Sequence, residues 1–281
     1  MIDRLDRMLV AVHNAAAAAE TFAAVLGAKK VSEGDAPQYN ARRITVRAGD
    51  SDFDLLEPAD DGLVATHLER NREGLFGAGF STPDFGGIIR TLGEANVSYT
   101  ETDDELLIEP DQTHGMRTAI RSSQAKEPAG LIKWVYEVTN IADDHEEAAD
   151  FYARAFGLDA DRFSPIHSTM WGYGGTLTLF DPPDRLDRIE ITQTTDDSRS
   201  MGRYYARRGA SIYMCFVETD DPAPIRERLD AREARYQPLE SGTEDGVFIH
   251  PSALCGILMG VSRTNVAWRW SGRPELAPAR A

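Results

Sequence analysis

The sequence has little cysteine and no long run of apolar residues. Only Cys215 and Cys255 occur in 281 residues, which excludes a disulfide-rich scaffold and favours buried, reduced thiols. No stretch approaches the roughly 18 uninterrupted apolar residues of a membrane-spanning helix, and the first residues lack the apolar segment and cleavage site of a secretory signal. We therefore expect a cytoplasmic protein without a membrane anchor.

Positive charge is also scarce. The chain has 30 Lys and Arg against 46 Asp and Glu, a formal net charge of −16. A chain this acidic lacks the cations that displace counterions from phosphates, so we expect neither nucleic acid nor an anionic membrane surface as a partner. Two arginine clusters, at 41–47 and 201–209, are candidates for holding a carboxylate or phosphate group, although such clusters are more often salt-bridged surface residues.

Glycine-rich phosphate loops are missing as well. Neither a P-loop nor a dinucleotide-binding pattern is present, so we expect no nucleotide cofactor. The composition, with 42% hydrophobic and 27% charged residues, is that of an ordinary globular protein. The length provides enough apolar material for two domains or one large one.

What the sequence does contain is an internal repeat. The segment Met8–Asn14 matches Trp134–Asn140, and in both halves the following helix ends at a glycine, Gly27 or Gly157. Further segments match in the same order: 53–58 with 189–194, 80–84 with 217–221, and 108–115 with 249–256. Each half repeats the pattern of a strand, a helix and three short strands, so we predict an α+β chain of four βαβββ units.

The matching segments resemble a known family. MLVAVHNAAAAAETFAAVLGA, DFDLLEP and EPDQTHGM in the first half, and DFYARAFGL and HPSALCGI in the second, resemble the vicinal-oxygen-chelate superfamily. This superfamily comprises glyoxalases, bleomycin-resistance proteins, methylmalonyl-CoA epimerases and extradiol dioxygenases. The resemblance spans about residues 3–263. It implies two tandem glyoxalase-like modules, each an open, cup-shaped sheet of eight strands.

The module boundaries follow from a polar linker. The stretch 122–130 carries Pro128 and Gly130, so we expect a first module at 1–125, a second at 126–266, and a tail at 267–281 that ends loosely. Trp268 and Trp270 are expected to cover an open edge or the mouth of a cup, in the same chain or in a partner. A homodimer is therefore one arrangement that the sequence leaves open.

The resemblance also allows a test for a metal site. In the superfamily, ligands on the first, fourth, fifth and eighth strands, commonly His, Glu, His and Glu, bind a divalent metal ion. Carried over residue by residue, these positions hold Arg7, Asp54, Gly77 and Ala119 in the first module and Lys133, Glu190, Met214 and Gly260 in the second. Only the two carboxylates are suitable ligands. We therefore predict that both modules lack the usual metal, which disfavours an extradiol dioxygenase; a divalent metal is expected only if the mapping is wrong.

The second cup is the stronger candidate for a catalytic site. Lys133 is expected to face Glu190, and alternation along the strands adds Glu137 and Glu218 to the same cup. Carboxyl groups crowded beside one lysine have separated pKa values, which prepares an acid and a base near neutral pH. The alternative is that Lys133 with Glu190, and Arg7 with Asp54, are salt bridges that plug cups without a metal.

Five residues are candidates for binding a substrate in the second cup: His167, Trp171, Tyr173, Met214 and His250. Residues 164–175 combine His167 with aromatic residues and glycines, a pattern that fits a lid over an aromatic or apolar ligand. A plain hairpin that packs Trp171 on the cup has the same pattern. His250 lies in a stretch that resembles one beside the pocket mouth in the superfamily, and turn formation is its alternative role.

Three functions are consistent with these residues. We favour an enzyme without a metal or other cofactor that transfers protons next to a carbonyl of an organic acid or thioester, as an isomerase, epimerase or lyase does. The second function is binding or sequestering a small molecule without chemistry, as bleomycin-resistance proteins do. The third is a metal-dependent lyase or dioxygenase with displaced ligands, such as Glu190 with His167 or His250. In each case the expected partner is a small molecule, either aromatic or a carboxylate or thioester.

Overall fold

The computed structural model describes residues 1–102, 104–181 and 185–277. Its first half begins with a strand, a helix and three more strands, followed by a second, similar unit. The bounds are β1 (Arg4–Ala11), α1 (Ala15–Leu26), β2 (Lys29–Ala36), β3 (Ala41–Ala48), β4 (Ser51–Pro58), α2 (Leu63–Asn71), β5 (Gly74–Thr82), α3 (Phe85–Glu94), β6 (Thr100–Glu101), β7 (Glu105–Ile108) and β8 (Thr118–Ser122).

The second half repeats this order and adds a helix at its end. The bounds are β9 (Trp134–Ile141), α4 (His145–Phe156), β10 (Ser164–Ser168), β11 (Tyr173–Leu179), β12 (Arg188–Thr194), α5 (Ser200–Arg208), β13 (Ser211–Thr219), α6 (Ala223–Asp230), β14 (Tyr236–Leu239), β15 (Gly242–Ile249), β16 (Met259–Arg263) and α7 (Thr264–Arg269).

Each half forms its own mixed sheet of eight strands. The strand order is β2-β3-β4-β1-β5-β8-β7-β6 in the first sheet and β10-β11-β12-β9-β13-β16-β15-β14 in the second. In both, the central pair that joins the two units is antiparallel, and each member of that pair has a parallel neighbour on its other side. The predicted α+β fold with two glyoxalase-like modules is therefore confirmed.

Local capping explains where α1 and α4 begin and end. Each of these helices follows the first strand of its module. Asn14 accepts a hydrogen bond from the Ala17 amide at the start of α1, and Asp144 accepts bonds from the Glu146 and Glu147 amides at the start of α4. Gly27 and Gly157 end these helices at φ 67°, a left-handed conformation that glycine adopts at little cost.

These caps correct the alignment of the repeat. The prediction that Asn14 matches Asn140 is wrong, because the N-cap residue of α4 is Asp144, four residues later. Asn140 is instead a buried residue inside β9. The strand pairing agrees, because Arg7 lies beside Asp52 and Glu137 lies beside Arg188 on the equivalent strands. Glu137, and not Lys133, is therefore the counterpart of Arg7.

Three helices were not predicted from the sequence. The helices α2 and α5 connect the two units of each module, and α7 follows the last strand. Their sequences are rich in charged residues, and α2 and α5 each bury only two residues, so an apolar periodicity is hard to see. In the described ranges, no helix is long and apolar enough to cross a membrane.

The two modules share one hydrophobic core. The helix-covered faces of both sheets contribute to a single cluster of buried residues, with Phe22, Phe53 and Phe80 from the first module and Phe156 and Val217 from the second. The helices α3 and α4 pack against each other across this core, as do α1 and α6. The opposite faces of the two sheets form the cups, and each cup has its own apolar cluster.

The tail after β16 packs into the second cup. Trp268 is 1% exposed and belongs to the same cluster as Tyr136, Met214 and Phe216. Ser271 is fully buried and donates a hydrogen bond to the Trp268 carbonyl. This placement agrees with the expectation that a tryptophan of the tail covers a cup. The tail was also expected to end loosely, whereas residues 271–277 pack against the second module. Residues 278–281 lie outside the described residues.

Replacing Trp268 by alanine should destabilise the fold by about 3–5 kcal/mol, because it leaves a cavity in the cup cluster. Trp270, which is 37% exposed, is the matched control, and its replacement by alanine should cost about 1 kcal/mol or less. Urea unfolding of the two variants measures the difference. Equal losses would show that Trp268 does not seal the cup.

Candidate functional site

Strand alternation builds the lining of the second cup. On β12, Ile189 and Ile191 enter the shared core, whereas Arg188 and Glu190 point the opposite way, into the cup. The neighbouring β9 is irregular because its pairing with β13 skips Tyr136. This bulge lets Tyr136 pack in the cup while Glu137 contacts Arg188.

Two carboxyl groups meet at the centre of this lining. The hydroxyl of Thr139 lies between them, with Oγ1 2.6 Å from Glu190 Oε2 and 3.5 Å from Glu137 Oε1. Glu137 is 1% exposed and ion-paired with Arg188, whereas Glu190 is 9% exposed. Glu190 is therefore the carboxyl group of this pair that is more accessible to a ligand.

Burial changes the protonation of this pair. Desolvation, reinforced by the negative charge of Glu137, raises the pKa of Glu190 from its ordinary value of 4.5 to about 8. The Tyr173 hydroxyl donates a hydrogen bond to Glu190 Oε1 at 3.1 Å, and burial beside this carboxyl raises the pKa of Tyr173 as well. Near neutral pH the cup thus holds a carboxyl group close to its titration point beside a protonated phenol.

Arg188 is the member of this group that sequence reasoning missed. It is 2% exposed and holds Glu137 with two of its nitrogens. The alternating segment RIEITQT carries the signal, because Arg188 is two residues before Glu190 and must share its face. The predicted crowding of carboxyl groups around a cation is present, but the cation is Arg188.

The predicted pairing of Lys133 with Glu190 is wrong. Lys133 precedes β9 and forms ion pairs with Glu218, at 2.9 Å, and with Asp220, at 3.5 Å. Its ammonium group also lies 4.6 Å from the centre of the Trp134 ring. Glu218 is fully buried, accepts a hydrogen bond from Thr264, and leaves its Oε2 without a partner among the described residues. Lys133 and Glu218 therefore form a separate cluster, next to the start of α7.

Three of the predicted substrate-binding residues lie on the second cup. Tyr173 contacts Glu190, Met214 is buried in the cup cluster, and the Trp171 ring lies 6.3 Å from the Phe248 ring on β15. The centre of the Phe248 ring in turn lies 5.6 Å from the centre of the Phe216 ring. Trp171 lies just before β11, and β11 and β15 lie far apart in the strand order. The contact between Trp171 and Phe248 therefore spans the cup and narrows its mouth.

The two predicted histidines lie elsewhere. His167 is exposed on β10, next to Ile166, which packs toward the cup, so the His167 side chain faces away. His250 caps a short helical turn, where its Nδ1 accepts a hydrogen bond from the Ser252 amide at 3.1 Å. Burial and the nearby Arg235 lower the pKa of His250. The structure therefore does not bring either histidine to Glu190.

The first cup is filled by its own side chains. Arg7 is 2% exposed, pairs with Glu105, and has its Nε 3.4 Å from Asp54 Oδ2, as predicted for Arg7 and Asp54. Thr45 donates a hydrogen bond to Asp54 at 2.6 Å. A ring of apolar residues that includes Tyr39 and Phe76 surrounds this network. The first cup is thus the plugged arrangement that the sequence allowed as an alternative.

The residues present do not fit the superfamily's metal ion. With the corrected register, the four ligand positions of the second cup hold Glu137, Glu190, Met214 and Gly260, and Glu137 is already neutralised by Arg188. In the first cup, Arg7 occupies one position and would repel a cation. Within the part of the chain that the structure describes, no group of three or more His, Cys, Asp or Glu side chains is arranged to hold a metal.

Comparison with known proteins agrees with the fold. The chain matches no protein-family model, and no curated protein matches it significantly in sequence. Among solved structures, a triple mutant of 4-hydroxymandelate synthase from Streptomyces coelicolor superposes with a TM-score of 0.67 at 13% identity, covering 93% of this chain and 92% of that one. A fusion of a xylose isomerase-like TIM barrel with 4-hydroxyphenylpyruvate dioxygenase gives a TM-score of 0.62 at 10% identity, covering 94% of this chain and 49% of that one.

These matches define the class of protein by its fold. The chain is a two-module protein of the vicinal-oxygen-chelate fold, with both modules represented in the superposition. At 13% identity the likeness shows architecture and does not transfer chemistry. Any function of this chain therefore depends on its own side chains, foremost those that line the second cup.

Replacing Glu190 by glutamine should flatten the dependence of stability on pH. A carboxyl group whose pKa rises from 4.5 to about 8 on folding contributes stability that is fully present below pH 4.5 and is lost as the pH rises through 8. Between about pH 5 and pH 8 we expect the wild type to lose about 2–5 kcal/mol more than Glu190→Gln, as measured by urea unfolding.

The comparison isolates Glu190 because, among the described residues, the other buried carboxyl group with a raised pKa is unchanged in the variant. That group is Asp187, with a pKa of about 6, and its contribution cancels between the two proteins. Parallel stability curves would mean that Glu190 ionises normally in the folded chain.

Proposed function

We propose that the chain is an enzyme whose second cup transfers a proton next to a carbonyl group of an organic acid or thioester, without a metal, as an isomerase or epimerase does. The observation that carries this proposal is Glu190, which is 9% exposed, lines the second cup, and has its pKa raised to about 8 by its buried surroundings. A base with a pKa near the working pH combines sufficient basicity with a useful population of the free carboxylate.

The proposed reaction uses two groups that touch the substrate. The Glu190 carboxylate removes the proton on the carbon next to the carbonyl, and the pair of electrons from that C–H bond moves to the carbonyl oxygen. The Tyr173 hydroxyl stays protonated, and in this step its one hydrogen turns from Glu190 Oε1 to donate a hydrogen bond to the developing oxyanion. Protonated Glu190 then returns the proton to the same face of the planar intermediate, or to its opposite face after the intermediate has turned over beside Glu190, which inverts the carbon. Both outcomes balance without a cofactor.

Glu137 and Arg188 act through Glu190 and are therefore positioning residues. The charge of Glu137 raises the pKa of Glu190, and the ion pair with Arg188 holds Glu137 in place. The Thr139 hydroxyl donates a hydrogen bond of 2.6 Å to Glu190 Oε2. The other carboxylate oxygen, Oε1 near Tyr173, is therefore the one that contacts the substrate. Lys133 and Glu218 form a separate cluster and have no role in this proposal.

The aromatic lining supports a second candidate, a protein that binds a small molecule without changing it. Trp171, Phe248, Phe216 and Tyr136 form a series of neighbouring rings whose centres lie 5.6–6.3 Å apart. Such a surface suits a flat or apolar ligand. Tight binding of a ligand that is recovered unchanged would favour this candidate over the enzyme.

Proton exchange tests the proposed chemistry before the substrate is known. The wild type should exchange the proton next to the carbonyl for deuterium in a panel of 2-oxo acids and acyl thioesters in D2O, followed by proton NMR. The rate should rise about tenfold per pH unit and level off above about pH 8, since the carboxylate form of Glu190 is required. Glu190→Gln should abolish exchange, because an amide cannot accept the proton.

Two further variants make this test specific. Glu137→Gln removes a negative charge beside Glu190, so the midpoint of the pH profile should move to lower pH, an effect that a merely structural role does not produce. Asp54→Asn changes the equivalent position in the first cup and should leave exchange unchanged. Exchange by Glu190→Gln at the wild-type rate would rule out Glu190 as the base.

A further inference from the structure

A large cleft lies between the two modules, outside both cups. It has a volume of about 1550 Å³ and is lined by residues of both halves. The first module contributes the end of α2 and the turn before β5, at 69–75, and the second contributes the end of α5 and the segments 232–235 and 251–258. The cleft exceeds the roughly 300–1,000 Å³ typical of small-molecule pockets, so its volume does not limit the binding of a small molecule.

The charge of this cleft is opposite to that of the whole chain. Six arginines line it: Arg70, Arg72, Arg207, Arg208, Arg232 and Arg235. The acidic residues on the same surface are Glu69, Glu73 and Glu233, which leaves three positive charges in excess, whereas the chain carries −16. Among the described residues, none of these arginines lies within 4.0 Å of a carboxylate oxygen.

One of the arginines is held in position and joins the modules. Arg208 donates hydrogen bonds to the Asn71 carbonyl at the end of α2, at 2.5 Å, and to the Tyr204 hydroxyl, at 3.1 Å. Its Nε is buried and has no partner in the described part of the chain. Tyr204 is itself fixed by a hydrogen bond to the Ile212 carbonyl and by an edge contact with Tyr213, which also lines the cleft.

We propose that this cleft binds a small phosphate-bearing anion with several negative charges, such as a polyphosphate group. Arginines without carboxylate partners, grouped on a concave surface, offer several planar forks for bidentate contacts with phosphate oxygens. A single carboxylate or monophosphate does not satisfy so many cations. A long nucleic acid would leave the cleft and meet the acidic remainder of the surface, so the ligand must be short. This site does not depend on the chemistry of the second cup.

Calorimetric titration of the full chain with inorganic tripolyphosphate tests the proposal. At low ionic strength we expect saturable binding of one ion per chain, which weakens as salt is added. The double variant Arg207→Gln/Arg235→Gln removes two exposed arginines of the cleft and should weaken binding at least about tenfold. Arg90→Gln/Arg154→Gln removes two exposed arginines outside the cleft and should change affinity by no more than about twofold.

Other ligands distinguish the class of anion. Citrate, which has several carboxylates, and a short single-stranded oligonucleotide should both bind more weakly than tripolyphosphate. Tighter binding of citrate or of the oligonucleotide would overturn the assignment to small phosphates. Absence of saturable binding, or equal losses in the two double variants, would overturn the site itself.

Discussion

A buried guanidinium paired with carboxylates is the interaction on which both cups depend. Charged side chains on the inner face of a curled sheet are costly unless each one has a partner. In the first cup Arg7 is matched by Asp54 and Glu105. In the second cup Arg188 neutralises Glu137 alone, and Glu190 remains without a cation of its own among the described residues. The raised pKa of Glu190 follows from this difference between the cups, because Glu190 is buried beside the negative charge of Glu137 and has no ion pair of its own.

The two modules place opposite charges on equivalent strands. In the first, the arginine is on β1 and its carboxylate Asp54 is on β4; in the second, the carboxylate Glu137 is on β9 and Arg188 is on β12. Although the arginine and the carboxylate are on exchanged strands, each sheet keeps a buried ion pair between neighbouring strands. The two modules thus share a buried ion pair, and they differ in that the second also carries a buried carboxyl group, Glu190, outside that pair.

The order of the elements could be predicted because it rests on local signals that survive at low identity. Helix ends at Gly27 and Gly157, and alternation in segments such as RIEITQT, are properties of short stretches. The contacts of Lys133 could not be predicted, because the sequence allows either Asn140 or Asp144 as the N-cap residue of α4, and the two choices give different registers for β9. Only the strand pairing in the folded protein distinguishes them. The bulge at Tyr136 and the insertion of Trp268 into the cup depend on tertiary packing and leave no short-range pattern.

The two faces of each sheet have different roles, and this difference determines which substitutions can affect the packing between the modules. One face of each sheet, with the helices, forms the core that joins the modules, whereas the cup faces have separate clusters. A substitution in the lining of a cup therefore affects that cup and leaves the packing between modules intact. Because the shared core fixes how the two halves pack, the linings of the two cups can differ, as they do here, within one arrangement of the modules.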